Sequence, residues 1–263
     1  MDWPRWSISI PPSRAGYGNA MSDYVYPPVI AAAKLMFRLL DMKITVIGAE
    51  NVPREGGAVL ASNHVSYLDF IFAGLGAQES RRLVRFMAKQ EIFEHSIGGP
   101  LMRGMHHIPV DRDFGIGSYK AALSALKAGE VVGIFPEATI SQSFTVKDMK
   151  SGAARLAAGA GVPLIPVALW GTQRLWTKGR PRTLTRRHTP ITIIVGEPWR
   201  IERRADQNET NAELRARMSA LLDRAQREYP DSPAGPEDSW WLPAHLGGSA
   251  PTPTTDPSEP TIP

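Results

Sequence analysis

His64 and Asp69 stand five residues apart in "AVLASNHVSYLDFIFAGL", residues 58–75, where a strand-like apolar run gives way to a helix-like one. A histidine and a carboxylate form a proton-transfer pair: the imidazole takes a proton, and the acid fixes its tautomer and stabilises the imidazolium. Within a regular element this spacing keeps them apart. Five helical residues turn through roughly 500°, and five strand residues put the two side chains on opposite faces. A strand ending near Asn63, a tight turn and a helix starting near Ser66 would fold Asp69 back onto the imidazole.

The same letters also have a purely structural reading. Ser66-Tyr67-Leu68-Asp69 fits a capping box, with Val65 and Phe70 as its hydrophobic staple and His64 an incidental turn residue. In the functional reading His64 removes a proton from a hydroxyl as that oxygen attacks a carbonyl. The substrate then supplies the nucleophile. Ser66 is the covalent alternative, disfavoured by its place in the capping turn and by the absence of a G-x-S-x-G elbow.

Three further stretches could carry chemistry. "GMHHIPVDRD", 104–113, holds a short strand-like piece that ends in Val110, Asp111 and Arg112, and an Arg leaving a strand end can grip a phosphate with two donors. His106, His107 and Asp111 raise the idea of a metal site, but adjacent strand residues point to opposite faces, so no metal is expected. "VVGIFPEATIS", 131–141, brings Glu137 to a strand mouth, where it could bind acceptor hydroxyls or a polar headgroup, or cap the next segment through backbone N–H groups. "GVPLIPVALWG", 161–171, reads as a structural strand that could line a hydrophobic channel.

The elements that must position these residues alternate. Strand patterns fall at 43–48, 58–62, 83–88, 131–135, 164–169 and 191–196; helical patterns fall at 66–76, 97–105, 117–128, 151–160 and 209–228. Alternation of this kind predicts an α/β domain with a mixed, largely parallel sheet flanked by helices. Three parts are expected: an irregular leader with a membrane-associating amphipathic helix (1–41), the catalytic domain (42–228), and a Pro-rich, mostly disordered tail (229–263). In the helix, "VIAAAKLMFRLLDM", Lys34 and Arg38 share one side, suited to lipid headgroups, although packing on the body is an equal alternative. Trp240 and Trp241 should dock on the body, a partner or a membrane interface.

The chain has no cysteine, which excludes disulfides, thiolate metal sites and cysteine nucleophiles. The five acids after residue 228 leave a net charge of +9 on residues 1–228, from 30 basic and 21 acidic side chains. Such a body suits polyanionic partners, and cations concentrate at 81–89 and 174–188. No nucleic-acid motif or stacking platform accompanies them, so no nucleic acid is expected. No run reaches the roughly 20 apolar residues of a spanning helix, and the start lacks a signal peptide's apolar region. The expectation is a cytoplasmic protein, peripheral on the inner face of the cell membrane.

Taken in order, "NHVSYLD", "GMHHIPVDR", "FPEATIS" and "VPLIPVAL" resemble the four blocks of the PlsC-like glycerolipid acyltransferases, the lysophosphatidic acid acyltransferase family, and "IIVGEPW" resembles a late strand common in them. The resemblance covers roughly residues 42 to 200 and implies a glycerol-3-phosphate acyltransferase-like fold. It further implies transfer of a fatty acyl group from acyl-CoA or an acyl carrier protein to a glycerolipid hydroxyl, lysophosphatidate first among acceptors. His64 becomes the general base, Asp69 its orienting partner, Arg112 a phosphate ligand, and Glu137 a residue that positions the acceptor. Ala138 and Thr139 join the substrate site, with backbone N–H groups near 137–139 as oxyanion donors. The thioester carries its own leaving group, so no cofactor is called for.

One departure stands out. The third block usually reads F-P-E-G-T-R-S; here Ala138 replaces the Gly and Ile140 the Arg. Lys147, Lys150 or Arg103 could supply the missing cation, or the acceptor is another lysophospholipid or hydroxylated lipid. Two other classes compete: a lipid- or CoA-binding protein without turnover, encouraged by Ile140, and a serine hydrolase using Ser66.

Overall fold

A computed structural model describes residues 23–111 and 115–253. Seven strands form one sheet: β1 (Lys43–Ile47), β2 (Ala58–Ser62), β3 (Val84–Lys89), β4 (Ile108–Val110), β5 (Val131–Ile134), β6 (Leu164–Trp170) and β7 (Pro190–Val195). Their order is β1-β7-β6-β2-β5-β3-β4. Every neighbouring pair is parallel except β6 with β7. The expected mixed, largely parallel sheet is therefore present.

Burial on both faces explains the near-continuous apolar strands. Along β2, Val59 and Ala61 enter one core cluster while Ala58 and Leu60 enter the other. Helices α5 (Gly115–Lys127), α6 (Gly152–Ala160) and α7 (Gln207–Arg227) cover the first face, through residues such as Leu126, Leu156 and Met218. Helices α1 (Tyr26–Leu39) and α2 (Asp69–Leu75) cover the second, where Phe37 and Phe72 stack with ring centroids 5.0 Å apart. Two short helices, α3 (Gln90–Glu94) and α4 (Gly98–Gly104), join β3 to β4 and pack Phe93 and Met102 beneath Tyr26. Strand β6 is buried along its whole length and feeds both clusters, so it is a core strand rather than a channel wall.

Two sequence expectations need correction. Residues 229–263 are expected to be mostly disordered, yet 229–253 fold against the body, and 254–263 lie outside the described residues. Composition averages over the segment, whereas Trp241 alone is fully buried and joins the main cluster beside Tyr229 and Ala250. The N-terminal helix also faces the other way. Lys34 Nζ donates to Gln78 Oε1 of the body (2.9 Å), while Leu35 and Leu39 lie 58% and 64% exposed. Its outward side is therefore mostly apolar, with Arg38 exposed beside the two leucines. No helix among the described residues is long and apolar enough to cross a membrane.

Candidate active site

Because β5, β2 and β6 are parallel neighbours, the segments that follow them emerge at one edge of the sheet. Open α/β sheets bind ligands at the carboxyl ends of their strands. His64 follows β2, Glu137 follows β5 and Thr172 follows β6, so topology alone gathers residues far apart in sequence. Asp111, after β4, reaches the same edge through the parallel β5-β3-β4 run. Arg112, expected to hold phosphate, lies outside the described residues.

The turn after β2 brings His64 and Asp69 together as their spacing requires, with Nδ1 3.0 Å from Asp69 Oδ2. Asp69 is fully buried and saturated. Its Oδ2 also accepts the N–H groups of Val65 and Ser66, both at 2.7 Å, and its Oδ1 accepts Thr172 Oγ1 at 2.6 Å. The capping and catalytic readings thus coincide in one carboxylate. Helix α2 begins at Asp69 rather than Ser66, and the staple does not form: Val65 belongs to one face of the sheet and Phe70 packs on the other. The carboxylate fixes the proton on Nδ1 and leaves Nε2 as the ring atom able to accept one. The ring stacks on Phe135 (4.3 Å) and its side chain is 20% exposed.

The backbone of His64 is held equally firmly. Its N–H donates to Glu137 Oε1 (2.8 Å), and its carbonyl accepts the Ser141 N–H (2.8 Å). Just before it, the Asn63 amide bonds both the N–H and the carbonyl of Leu169, at 2.7 and 3.1 Å, extending the ladder to β6 where the strand itself ends. Ser66 Oγ donates to the Trp176 carbonyl (2.7 Å) and accepts the Leu68 N–H. A serine so engaged and fully buried is a turn residue, not an activated nucleophile.

Glu137 does not present its carboxylate to a ligand. Its Oε1 is taken by His64, its Oε2 accepts the Lys147 N–H (3.0 Å), and the residue is 5% exposed. This corrects the expected acceptor-positioning role in favour of the alternative, a loop acid satisfied by backbone donors. Burial pushes its pKa up to about 8, against the opposing pull of the two N–H donors and the Lys147 charge. Ala138 and Thr139 also differ from expectation: their N–H groups donate to the carbonyls of Phe135 and Glu137, so they are spent within the turn. The Glu137 N–H is the one of the three without an acceptor among the described residues. Ala138 sits at φ +62°, the left-handed region where glycine is unstrained.

Among the cations weighed for the missing Arg, Lys147 is the one at this loop, with Nζ 2.5 Å from Thr139 Oγ1. Arg103 instead caps the Phe93 carbonyl at 2.5 Å, and Lys150 meets the loop through its backbone, N–H to Pro136 O at 3.0 Å. The basic stretch at 81–89 is partly internal: Arg85 is buried against Asp23 and Glu130, and Arg82 binds the carbonyls of Pro53 and Gly129. His107 is structural. Its Nδ1 accepts the Phe86 N–H (3.0 Å), and burial, with the nearby Arg85 charge, lowers its pKa to about 4.

Sequence reasoning gave no site role to Asn63 or to Thr172–Thr177, whose Arg174 it counted only within a basic stretch. Beyond the Thr172 and Trp176 contacts above, Thr177 Oγ1 donates to the Val65 carbonyl (2.7 Å). Only the position of these residues just after a core strand, on the pattern of His64 and Glu137, could have flagged them.

A His–Asp pair thus sits at the carboxyl edge of a mixed sheet, with no hydrogen bond to His64 Nε2 among the described residues. The Acyltransferase family model matches residues 43–170. The 1-acyl-sn-glycerol-3-phosphate acyltransferase of Bacillus subtilis (strain 168) is 33% identical over 159 residues, spanning 59% of this chain and 73% of that protein. The chloroplastic enzyme LPAT1 of Arabidopsis thaliana is 33% identical over 160 residues, and the match spans 43% of its length. In structure the chain is similar to the 1-acyl-sn-glycerophosphate acyltransferase PlsC of Thermotoga maritima, with a TM-score of 0.65, 22% identity, and 79% and 82% of the two chains covered. The chain belongs to the 1-acyl-sn-glycerol-3-phosphate acyltransferase family and is an acyltransferase of lipid metabolism.

Proposed function

We propose that the protein moves a fatty acyl group from acyl-CoA or an acyl carrier protein to the free hydroxyl of lysophosphatidate, giving phosphatidic acid in phospholipid biosynthesis. The observation that carries this reading is the His64–Asp69 pair, with Nδ1 committed and Nε2 open, beside a serine that is not available for attack. His64 Nε2 takes the acceptor's hydroxyl proton as that oxygen attacks the thioester carbonyl. The oxyanion develops against the Glu137 N–H, the C–S bond breaks, and the imidazolium returns its proton to the departing thiolate. Bonds and protons balance within substrate and chain, without a cofactor.

The acceptor's phosphate meets Arg112. Lys147, bonded to Thr139, brings to the third-block loop the positive charge that Ile140 does not. Ile140 itself is buried and offers a phosphate no cation, so another lysophospholipid or hydroxylated lipid stands as the second reading. The outward apolar stripe of α1, with Leu35, Met36 and Leu39, supports docking on the inner face of the cell membrane, where an anionic surface would meet the exposed cations Lys178, Arg182 and Arg187. Free CoA released from palmitoyl-CoA, measured with lysophosphatidate and a panel of other lysolipids, tests the assignment. Lysophosphatidate should be the fastest acceptor. A faster lysolipid would reassign the acceptor, release without acceptor would mean thioester hydrolysis, and no release from folded, lipid-binding protein would leave a binding protein.

A further inference from the structure

The segment Tyr229–Trp241 lies beyond the stretch matched by the family model, yet it reaches the site through one short turn. That 3-10 turn, Thr172–Arg174, follows β6 and is fully inside the fold. On one side Thr172 Oγ1 supplies Asp69 Oδ1 with its hydrogen bond, 2.6 Å. On the other side its two remaining side chains are anchored to the C-terminal segment. Arg174 Nη1 donates to Asp231 Oδ2 at 2.6 Å and to the Tyr229 hydroxyl at 3.2 Å, and its guanidinium lies 4.4 Å from the centroid of the Trp241 ring. Gln173 Nε2 donates to the Trp241 carbonyl at 3.3 Å, while its Oε1 accepts the Gly171 N–H at 2.9 Å.

We propose that Tyr229, Asp231 and Trp241 form a clamp that positions the His64–Asp69 pair by fixing the Thr172–Arg174 turn. The proposal rests on the reading of His64 as base and Asp69 as its partner. Thr172 is then a positioning residue: it acts on Asp69, never on substrate. The turn has no sheet ladder to hold it, and its entry at Gly171 (φ +98°) is so tight that a Cβ there would lie 2.2 Å from the Pro190 carbonyl oxygen. Its placement therefore depends on side-chain anchors. Arg174 is 5% exposed, and a buried guanidinium needs a compensating anion, which Asp231 provides. Burial works against the Arg174 charge, but Asp231 and Tyr229 outweigh it and raise the pKa. Displacements of about 1 Å at a reacting pair can cost on the order of a hundredfold in rate, so a loosened turn should register in turnover before it registers in binding.

The test is a double-mutant cycle in the full-length protein, reading kcat, acceptor KM and thermal midpoint. Thr172→Val should lower kcat about tenfold with KM within about twofold, and Thr172→Ser, which keeps the hydroxyl, should recover most of it. Asp231→Asn should lower kcat about threefold to tenfold, and should have no further effect on kcat once Thr172→Val is present, although it still lowers the thermal midpoint. Two results overturn the clamp: Asp231→Asn reducing the midpoint without touching kcat, or the two kcat losses simply multiplying. His64→Ala separates the levels. If it abolishes transfer while Thr172→Val and Asp231→Asn leave kcat intact, the base assignment stands and the clamp falls. If His64→Ala turns over normally, both fall.

Discussion

Two buried carboxylates hold His64, and they do so differently. Asp69 holds the ring, lies five residues away, and accepts four hydrogen bonds from Val65, Ser66, His64 and Thr172. Glu137 holds the backbone, lies 73 residues away in the loop after a neighbouring strand, and accepts two. The first is surrounded by donors. The second is buried with too few donors to offset its desolvation, and its pKa rises to about 8. The two acids are thus told apart by their donors, not by residue type or burial.

Asp69→Asn should break the comparison hardest. The two backbone N–H groups hold an amide oxygen at the Oδ2 position, and the amide nitrogen can donate to Thr172 Oγ1, so folding and tautomer survive while the charge is lost. A drop in kcat of about a hundredfold or more, with a thermal midpoint near wild type, is the expected result. Glu137→Gln should act mainly on stability. An amide must turn its NH2 toward either the His64 or the Lys147 N–H, leaving a buried donor unpaired at a cost of about 1–3 kcal/mol, read by denaturant unfolding.

The pH dependence sharpens this. A folded pKa of about 8 against an ordinary value of 4.5 means the folded state holds the Glu137 proton more tightly than the unfolded chain. The stability it contributes is complete below pH 4.5 and is lost as pH rises through 8. His107, neutral in the fold with a pKa of about 4 against 6.5, costs stability only as pH falls below 6.5. Between pH 6.5 and 8 the Glu137 contribution therefore stands apart from it: the wild-type thermal midpoint should fall across that window, and Glu137→Gln should flatten the slope.

Smaller effects follow away from the pair. Replacing Leu35 and Leu39 of α1 together by Asp should weaken sedimentation with anionic vesicles about tenfold or more without lowering the thermal midpoint, because both side chains face outward. Ala138→Gly should change least. It relieves a left-handed backbone strain but loosens the unfolded chain, for a net gain below about 1 kcal/mol.

What was legible in the sequence follows the same division. The strands β1, β2, β3, β5, β6 and β7 and the long helices were readable because their apolar runs carry the period of their own burial. His64 and Asp69 were readable because one local turn joins them. Glu137 was found as a residue, but its role depends on strand adjacency that no local pattern encodes. Thr172 was invisible, since a threonine after a core strand carries no chemical signature alone. The C-terminal segment was misread because Pro, Ser and Thr set its composition while Tyr229 and Trp241 set its energetics. The outward face of α1 stays open in sequence, because Lys34 looks solvent-bound there, yet finds Gln78 in the fold.

The most direct test of His64 as the base toward the acceptor hydroxyl is acceptor-dependent release of CoA from palmitoyl-CoA by wild type and His64→Ala, each verified as folded. Wild type should release CoA only when lysophosphatidate is present, and His64→Ala should lose about a thousandfold in that rate while still binding lipid. Acceptor-dependent release by His64→Ala at the wild-type rate would contradict the proton-transfer role on which the site is built.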